Sequence, residues 1–227
     1  MGEADRGGGG RGMPVQVKIC GLTRPAQAAA CAAAGASALG CVFYAASPRR
    51  VGLEQAAALR RASPPGVALV GVFVDETADG VLRAAAQAGL DAVQLHGAEP
   101  PETVARLGAE GLRVIKALFA DREPSFARAA EYPASAFLLE CGRGPLPGGN
   151  ALAWEWGRAR PLADRFPVIL AGGVTPENVA LAVEAARPDA VDVSSGVERR
   201  PGEKDIDRVR QLIAAAARGR ARRRIFP

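Results

Sequence analysis

Short apolar runs alternate with alanine-rich stretches of helical period, and the alternation recurs eight times along the 227-residue chain. The runs are VQVKIC (15–20), ALGCVF (38–43), VALVGVFV (67–74), DAVQLH (91–96), LRVIKAL (112–118), SAFLLE (135–140), PVILAG (167–172) and DAVDVS (189–194). Val, Ile and Leu follow one another in them with little polar interruption, the pattern of strands buried on both faces and therefore of a parallel sheet. The stretches between them, such as RPAQAAACAAAG and TPENVALAVEAARP, carry Pro near their start or Gly near their end, as helices do. Eight βα units in about 215 residues predict a compact (β/α)8 TIM barrel in a single α/β domain. A doubly wound open sheet also accepts eight strands, but it calls for more connecting sequence and a switch point.

Composition sets the limits of that domain. A hydrophobic content of 48% is ample for one large core. Residues 1–12, MGEADRGGGGRG, read as a flexible N-terminal extension, 13–217 as the barrel, and 218–227 as a basic C-terminal tail. The net charge of +5 resides in that tail, where Arg218, Arg220, Arg222, Arg223 and Arg224 fall within ten residues; the rest of the chain is neutral overall. The tail is therefore expected to be solvated and mobile, and neither a nucleic acid nor a membrane is expected as a partner. Four cysteines without C-x-x-C spacing and one histidine give no metal site, and no apolar run reaches membrane-spanning length. The expected setting is a reducing cytoplasm, with the chain a monomer or a homodimer.

In a barrel the chemistry gathers where strands end and βα loops begin. The seventh run ends in AGG (171–173) and the eighth in SSG (194–196). Gly172, Gly173 and Gly196 either make tight turns or let backbone N–H groups approach a phosphate, with Ser194 and Ser195 adding hydroxyl donors. Adjacent strands that both end this way favour the phosphate seat. The first run ends in Cys20, followed by Gly21. Cys31 and Cys41 read as small buried hydrophobes. Cys20 stands at the expected catalytic rim, and Lys18, two residues earlier, shares its face of the strand. An ammonium there is expected to favour the thiolate and lower the thiol's pKa.

Seven segments in order, KICGLT, GCVFYAASPRRV, VGVFVDE, DAVQLHG, VIKAL, LAGGVTPENV and VDVSSGVERRPGEKD, resemble the phosphoribosylanthranilate isomerase family of tryptophan biosynthesis, and the resemblance spans residues 15–213. It implies an Amadori rearrangement of N-(5-phosphoribosyl)anthranilate to 1-(2-carboxyphenylamino)-1-deoxyribulose 5-phosphate, with a sugar-phosphate substrate and neither metal nor organic cofactor. It also implies roles. Cys20 matches the general base, and Arg49 the residue that binds the anthranilate carboxylate. Gly172, Gly173, Ser194, Ser195 and Gly196 match the phosphate seat, while His96 and Asp192 match residues that point into the pocket.

Strand six departs from the pattern. The family ends it with LLD, whose aspartate is the general acid; here FLLECGRG puts Glu140 in that place, and the glycine-rich stretch beyond reads GGNA (148–151). Glu and Asp differ in intrinsic acidity by only about 0.4 units, but the extra methylene shifts the carboxyl, and a misplacement of roughly an ångström can cost about 10²-fold in rate. The sequence therefore leaves two alternatives: a related barrel acting on a different sugar-phosphate amine, or a phosphate-ligand binder without turnover.

Overall fold

The computed structural model describes residues 12–144 and 153–227. All but the last residue of the expected N-terminal extension, and the GGNA stretch, lie outside the described residues. Eight parallel strands close into a barrel in chain order: β1 (Gln16–Ile19), β2 (Ala38–Val42), β3 (Ala68–Phe73), β4 (Ala92–Leu95), β5 (Arg113–Phe119), β6 (Ala136–Glu140), β7 (Val168–Leu170) and β8 (Ala190–Val193). Closure comes from the β1–β8 pairing, which sets Lys18 opposite Asp192 and Ile19 opposite Val193. Each strand coincides with one of the eight apolar runs, β5 extending one residue beyond its run to Phe119, so the (β/α)8 fold is the observed one. β7 is the shortest, because the chain turns out of the sheet into Gly172 and Gly173, which have φ of 87° and 68°.

Around the barrel run α1 (Pro25–Ala33), α2 (Leu53–Ala62), α3 (Ala78–Ala88), α4 (Pro101–Ala109), α5 (Arg160–Arg165), α6 (Val179–Ala186) and α7 (Ile206–Ala216). A 3-10 helix, Phe126–Glu131, takes the helical place between β5 and β6. The helix ends follow local chemistry. Thr77 Oγ1 accepts from Gly80 N at the start of α3, and Gly89 closes that helix in a left-handed conformation. Asp205 accepts from the N–H groups of Asp207 and Arg208 at the start of α7.

Side-chain alternation along the strands divides the core in two. Residues facing outward, such as Val17, Ile19, Leu39, Leu69 and Val93, pack against the helices. Those facing inward fill the barrel, and near its N-terminal end they are small: Ala38, Ala68, Ala92, Ala136 and Ala190. Alanines alone cannot fill a barrel to native density. The missing volume comes from the C-terminus, because Ile225 and Phe226 join that same inner cluster and are 7% and 2% exposed.

The tail is thus a plug, and the expectation of a solvated, mobile segment is corrected. Gln16 Oε1 accepts from the N–H groups of Ile225 (2.8 Å) and Phe226 (3.0 Å), and Gln16 Nε2 donates to Phe226 O (3.0 Å). Buried Asp189 accepts from the N–H groups of Arg222 (3.1 Å) and Arg223 (2.9 Å). Arg220–Ala221 pairs antiparallel with Met13–Pro14, and Arg223 Nη1 donates to the carbonyls of Ala163 and Phe166. The count of arginines suggested solvation, whereas the two apolar residues that follow them and the acceptors beneath them decide the conformation.

Candidate active site

At the C-terminal end of the barrel the inward-facing positions become polar. The same two-residue alternation that buries alanines below brings Lys18 and Cys20, Gln94 and His96, Glu140, and Asp192 and Ser194 to this end. Lys18 is fully buried, and its Nζ donates to Asp192 Oδ1 at 2.8 Å. Burial opposes the ammonium, but Asp192 and Cys20 outweigh it and hold Lys18 above the ordinary lysine range. Asp192 is therefore an ion-pair partner of Lys18 on the wall of the site.

Cys20 follows β1 directly, its N–H donating to Val193 O at 2.8 Å, and is 8% exposed. Gly40 on β2 makes room for it, since a Cβ there would stand 2.7 Å from the sulfur. Burial pushes the thiol up, against the pull of the Lys18 and Lys204 ammoniums, and Asp192 adds to the rise. The lowered thiol expected from Lys18 is corrected accordingly. The ammonium acts in the expected direction, but it is shared with Asp192 and outweighed by desolvation.

Glu140 ends β6 and is 4% exposed. Its Oε2 lies 3.1 Å from His96 Nε2, and His96 Nδ1 lies 2.8 Å from Gln94 Nε2. With the Gln94 amide donating to Nδ1, the imidazole carries its proton on Nε2 and donates to Glu140 Oε2. Glycine at 172 leaves room beside Glu140: a Cβ there would come within 3.2 Å of Glu140 Cγ and 3.0 Å of Trp154 Nε1. Below His96, Glu99 accepts from the N–H groups of Asp75 and Gly97 and pairs with buried Lys116 at 2.7 Å, tying the loops after β3 and β4 to β5.

Arg49 is buried, whereas Arg50 is exposed and pairs with Val42 through its backbone. The Arg49 stem crosses Gly21, which has φ of 78°; a Cβ at 21 would collide with Arg49 Cδ and come within 2.9 Å of Ser194 Oγ. Gly21 thus clears the path of the arginine that crosses the thiol's own loop. The Arg49 guanidinium grips Glu198 with Nε to Oε1 at 2.9 Å and Nη2 to Oε2 at 2.6 Å. Lys204 Nζ reaches the same carboxylate at 2.7 Å and Ser194 O at 3.2 Å.

Gly172, Gly173, Ser194, Ser195 and Gly196 line one small cleft together with Glu140 and Asp192. The turn Ser195–Val197 is a 3-10 helix, and a Cβ at Gly196 would strike Val174 O, so the loops after β7 and β8 touch. Asn178 steadies the first of them, accepting from Thr175 N and donating to Gly173 O. A roomier cleft, of about 890 Å³, lies around Arg187, Gly219 and Arg222, beside the docked tail and away from the strand C-termini.

All the site residues expected from sequence stand at this one end of the barrel. Gln94, Glu198 and Lys204 are further polar residues that the sequence reading did not assign. Gln94 had a signal, since it stands two residues before His96 on one strand, as Lys18 does before Cys20. Glu198 and Lys204 lie in VERRPGEKD, where neighbouring charges hide which ones turn inward.

The sequence matches the family model for N-(5′-phosphoribosyl)anthranilate isomerase over residues 17–215. It is 50% identical over 204 residues to the N-(5′-phosphoribosyl)anthranilate isomerase of Desulfatibacillum aliphaticivorans, covering 90% of this chain and 94% of that one. The crystal structure of the phosphoribosyl anthranilate isomerase of Thermus thermophilus matches with a TM-score of 0.81 at 43% identity, over 89% of this chain and 98% of the other. A crystal structure of such an isomerase in complex with reduced 1-(o-carboxyphenylamino)-1-deoxyribulose 5-phosphate matches with a TM-score of 0.78 at 41% identity, again over 89% and 98%.

Proposed function

The chain belongs to the N-(5′-phosphoribosyl)anthranilate isomerase family of tryptophan biosynthesis, and from that premise we propose how its residues divide the reaction. Glu140, protonated, gives its proton to the furanose ring oxygen, and the ring opens to a Schiff base. Cys20, as thiolate, removes the C2′ proton, and the enolamine tautomerises to the ketone. The positive charge of the Schiff base arises beside the thiol, so ring opening itself favours the thiolate that the next step needs. Arg49 binds the aryl carboxylate, and the loops of Gly172–Gly173 and Ser194–Gly196 receive the phosphate through backbone N–H groups and serine hydroxyls.

One observation carries this reading. Cys20 directly follows β1 and Glu140 ends β6 at a single barrel mouth, separated by β7 and β8, whose glycine and serine loops lie between them. A sugar phosphate seated on those loops has one group on each side of its ribose. Glu140 is seated against Gly172 and bonded to His96 at the barrel mouth, which supports turnover over the binding-only and altered-substrate alternatives. The four cysteines are free and buried, consistent with a reducing compartment such as the cytoplasm.

The test is direct, because substrate and product are anthranilate derivatives that can be followed by fluorescence. The purified protein is expected to turn over N-(5-phosphoribosyl)anthranilate and to restore growth without tryptophan to a strain lacking this step. Cys20→Ala is expected to do neither. A wild-type protein that binds the substrate without converting it would refute the proposal.

A further inference from the structure

We propose that Glu198 is a positioning residue for substrate recognition: it fixes the Arg49 guanidinium in the orientation that meets the substrate carboxylate, with Lys204 as its buried counter-charge. The inference rests on the reading that Arg49 binds that carboxylate. Arginine has two edges through which it can grip a planar anion, and a free side chain could offer either. Here Glu198 occupies the edge formed by Nε and Nη2, so an incoming carboxylate is confined to the edge that carries Nη1. The aliphatic stem is fixed as well, since it lies across Gly21, where no Cβ intervenes.

A carboxylate beside an anion-binding arginine invites the opposite reading, an internal competitor that the substrate displaces. The surroundings of Glu198 argue against it. Its Oε1 also accepts from Lys204 Nζ at 2.7 Å and from Gly202 N at 3.1 Å, and its side chain is 4% exposed. A group held from three directions and closed to solvent is built to stay. Arg49 and Lys204 share this one carboxylate, which opposes the lowering that burial imposes on the Lys204 pKa. Lys204 also reaches Ser194 O and thereby joins the carboxylate end of the site to the phosphate end.

The experiment is a kinetic cycle on N-(5-phosphoribosyl)anthranilate with Arg49→Met, Glu198→Gln and the double variant. The Glu198→Gln substitution keeps the shape but loses one charge-assisted grip on Nε and Nη2. KM is expected to rise about tenfold with kcat within about threefold, in keeping with the loss of one such bond. In the Arg49→Met background the same substitution is expected to change KM by less than about twofold, because Glu198 acts only through Arg49. Glu198→Gln combined with Lys204→Met avoids a buried unpaired ammonium and is expected to show the same rise in KM, so a folding defect of the single variant does not protect the idea.

An unchanged KM in Glu198→Gln, a lower one, or an equal effect with and without Arg49 would overturn the positioning role. A raised KM in Arg49→Met alongside any of these leaves the carboxylate reading standing. An unchanged KM in Arg49→Met removes that reading and this inference together.

Discussion

A single methylene separates Glu140 from the shorter acid that the resemblance led us to expect, and its neighbours hold the longer side chain in one place. Glycine at 172 leaves space against Glu140 Cγ, and His96 Nε2 holds the carboxylate at 3.1 Å. The side chain is fitted to its neighbours, so shortening it is harmful. Glu140→Asp is expected to lose about 10-fold or more in kcat, because the shorter carboxyl no longer reaches His96; a faster Asp variant, measured by the same fluorescence assay, would mean that the glutamate is poorly placed. Much of this scale was legible in the sequence. Strand ends and the family resemblance single out Cys20, Arg49, His96 and Glu140, and the fold brings these four to one end of the barrel. The sign of the Cys20 shift was not legible, because desolvation depends on what closes over the sulfur, and no local spacing encodes that.

Among the elements, the C-terminal segment departs furthest from its sequence reading. Its five arginines suggest solvation, yet Ile225 and Phe226 complete a barrel floor otherwise lined with alanine. The signal was present in two halves: alanines at inward positions of five strands, and a lone apolar pair at the chain end. Only the closed fold brings them together, and the partners Gln16 and Asp189 lie far away in sequence. Phe226→Ala is expected to cost about 3 kcal/mol or somewhat more, lowering Tm by roughly 6–12 °C, while kcat stays within about twofold. Calorimetry and the activity assay together check this. A large loss of kcat in a protein that remains folded would mean that floor and mouth are coupled.

For the molecule as a whole, stability and chemistry occupy opposite ends of one barrel, as the architecture allows, and the strand pattern alone was enough to foresee that division. Stability also carries a pH signature from thiols the reaction does not use. Burial pushes Cys31, on α1, up to about 11 from 9.0. A group whose folded value is raised binds its proton more tightly in the native state. Its contribution is therefore whole below about pH 9 and is lost as the pH climbs toward 11. Relative to a Cys31→Ala variant, the wild type is expected to lose about 1.4 kcal/mol per pH unit across that window. Urea midpoints at matched pH provide the check; a constant difference between the two proteins would show that the thiol is not shielded.

The central claim is that Glu140 and Cys20 transfer protons from opposite sides of one bound ribose. The most direct test is the turnover number of Glu140→Gln on N-(5-phosphoribosyl)anthranilate, since the amide keeps the size and the His96 contact but has no proton to give. The account predicts a fall in kcat of about 10²–10⁴-fold with KM within a few-fold of wild type. A Gln variant that retains most of the wild-type kcat would contradict it.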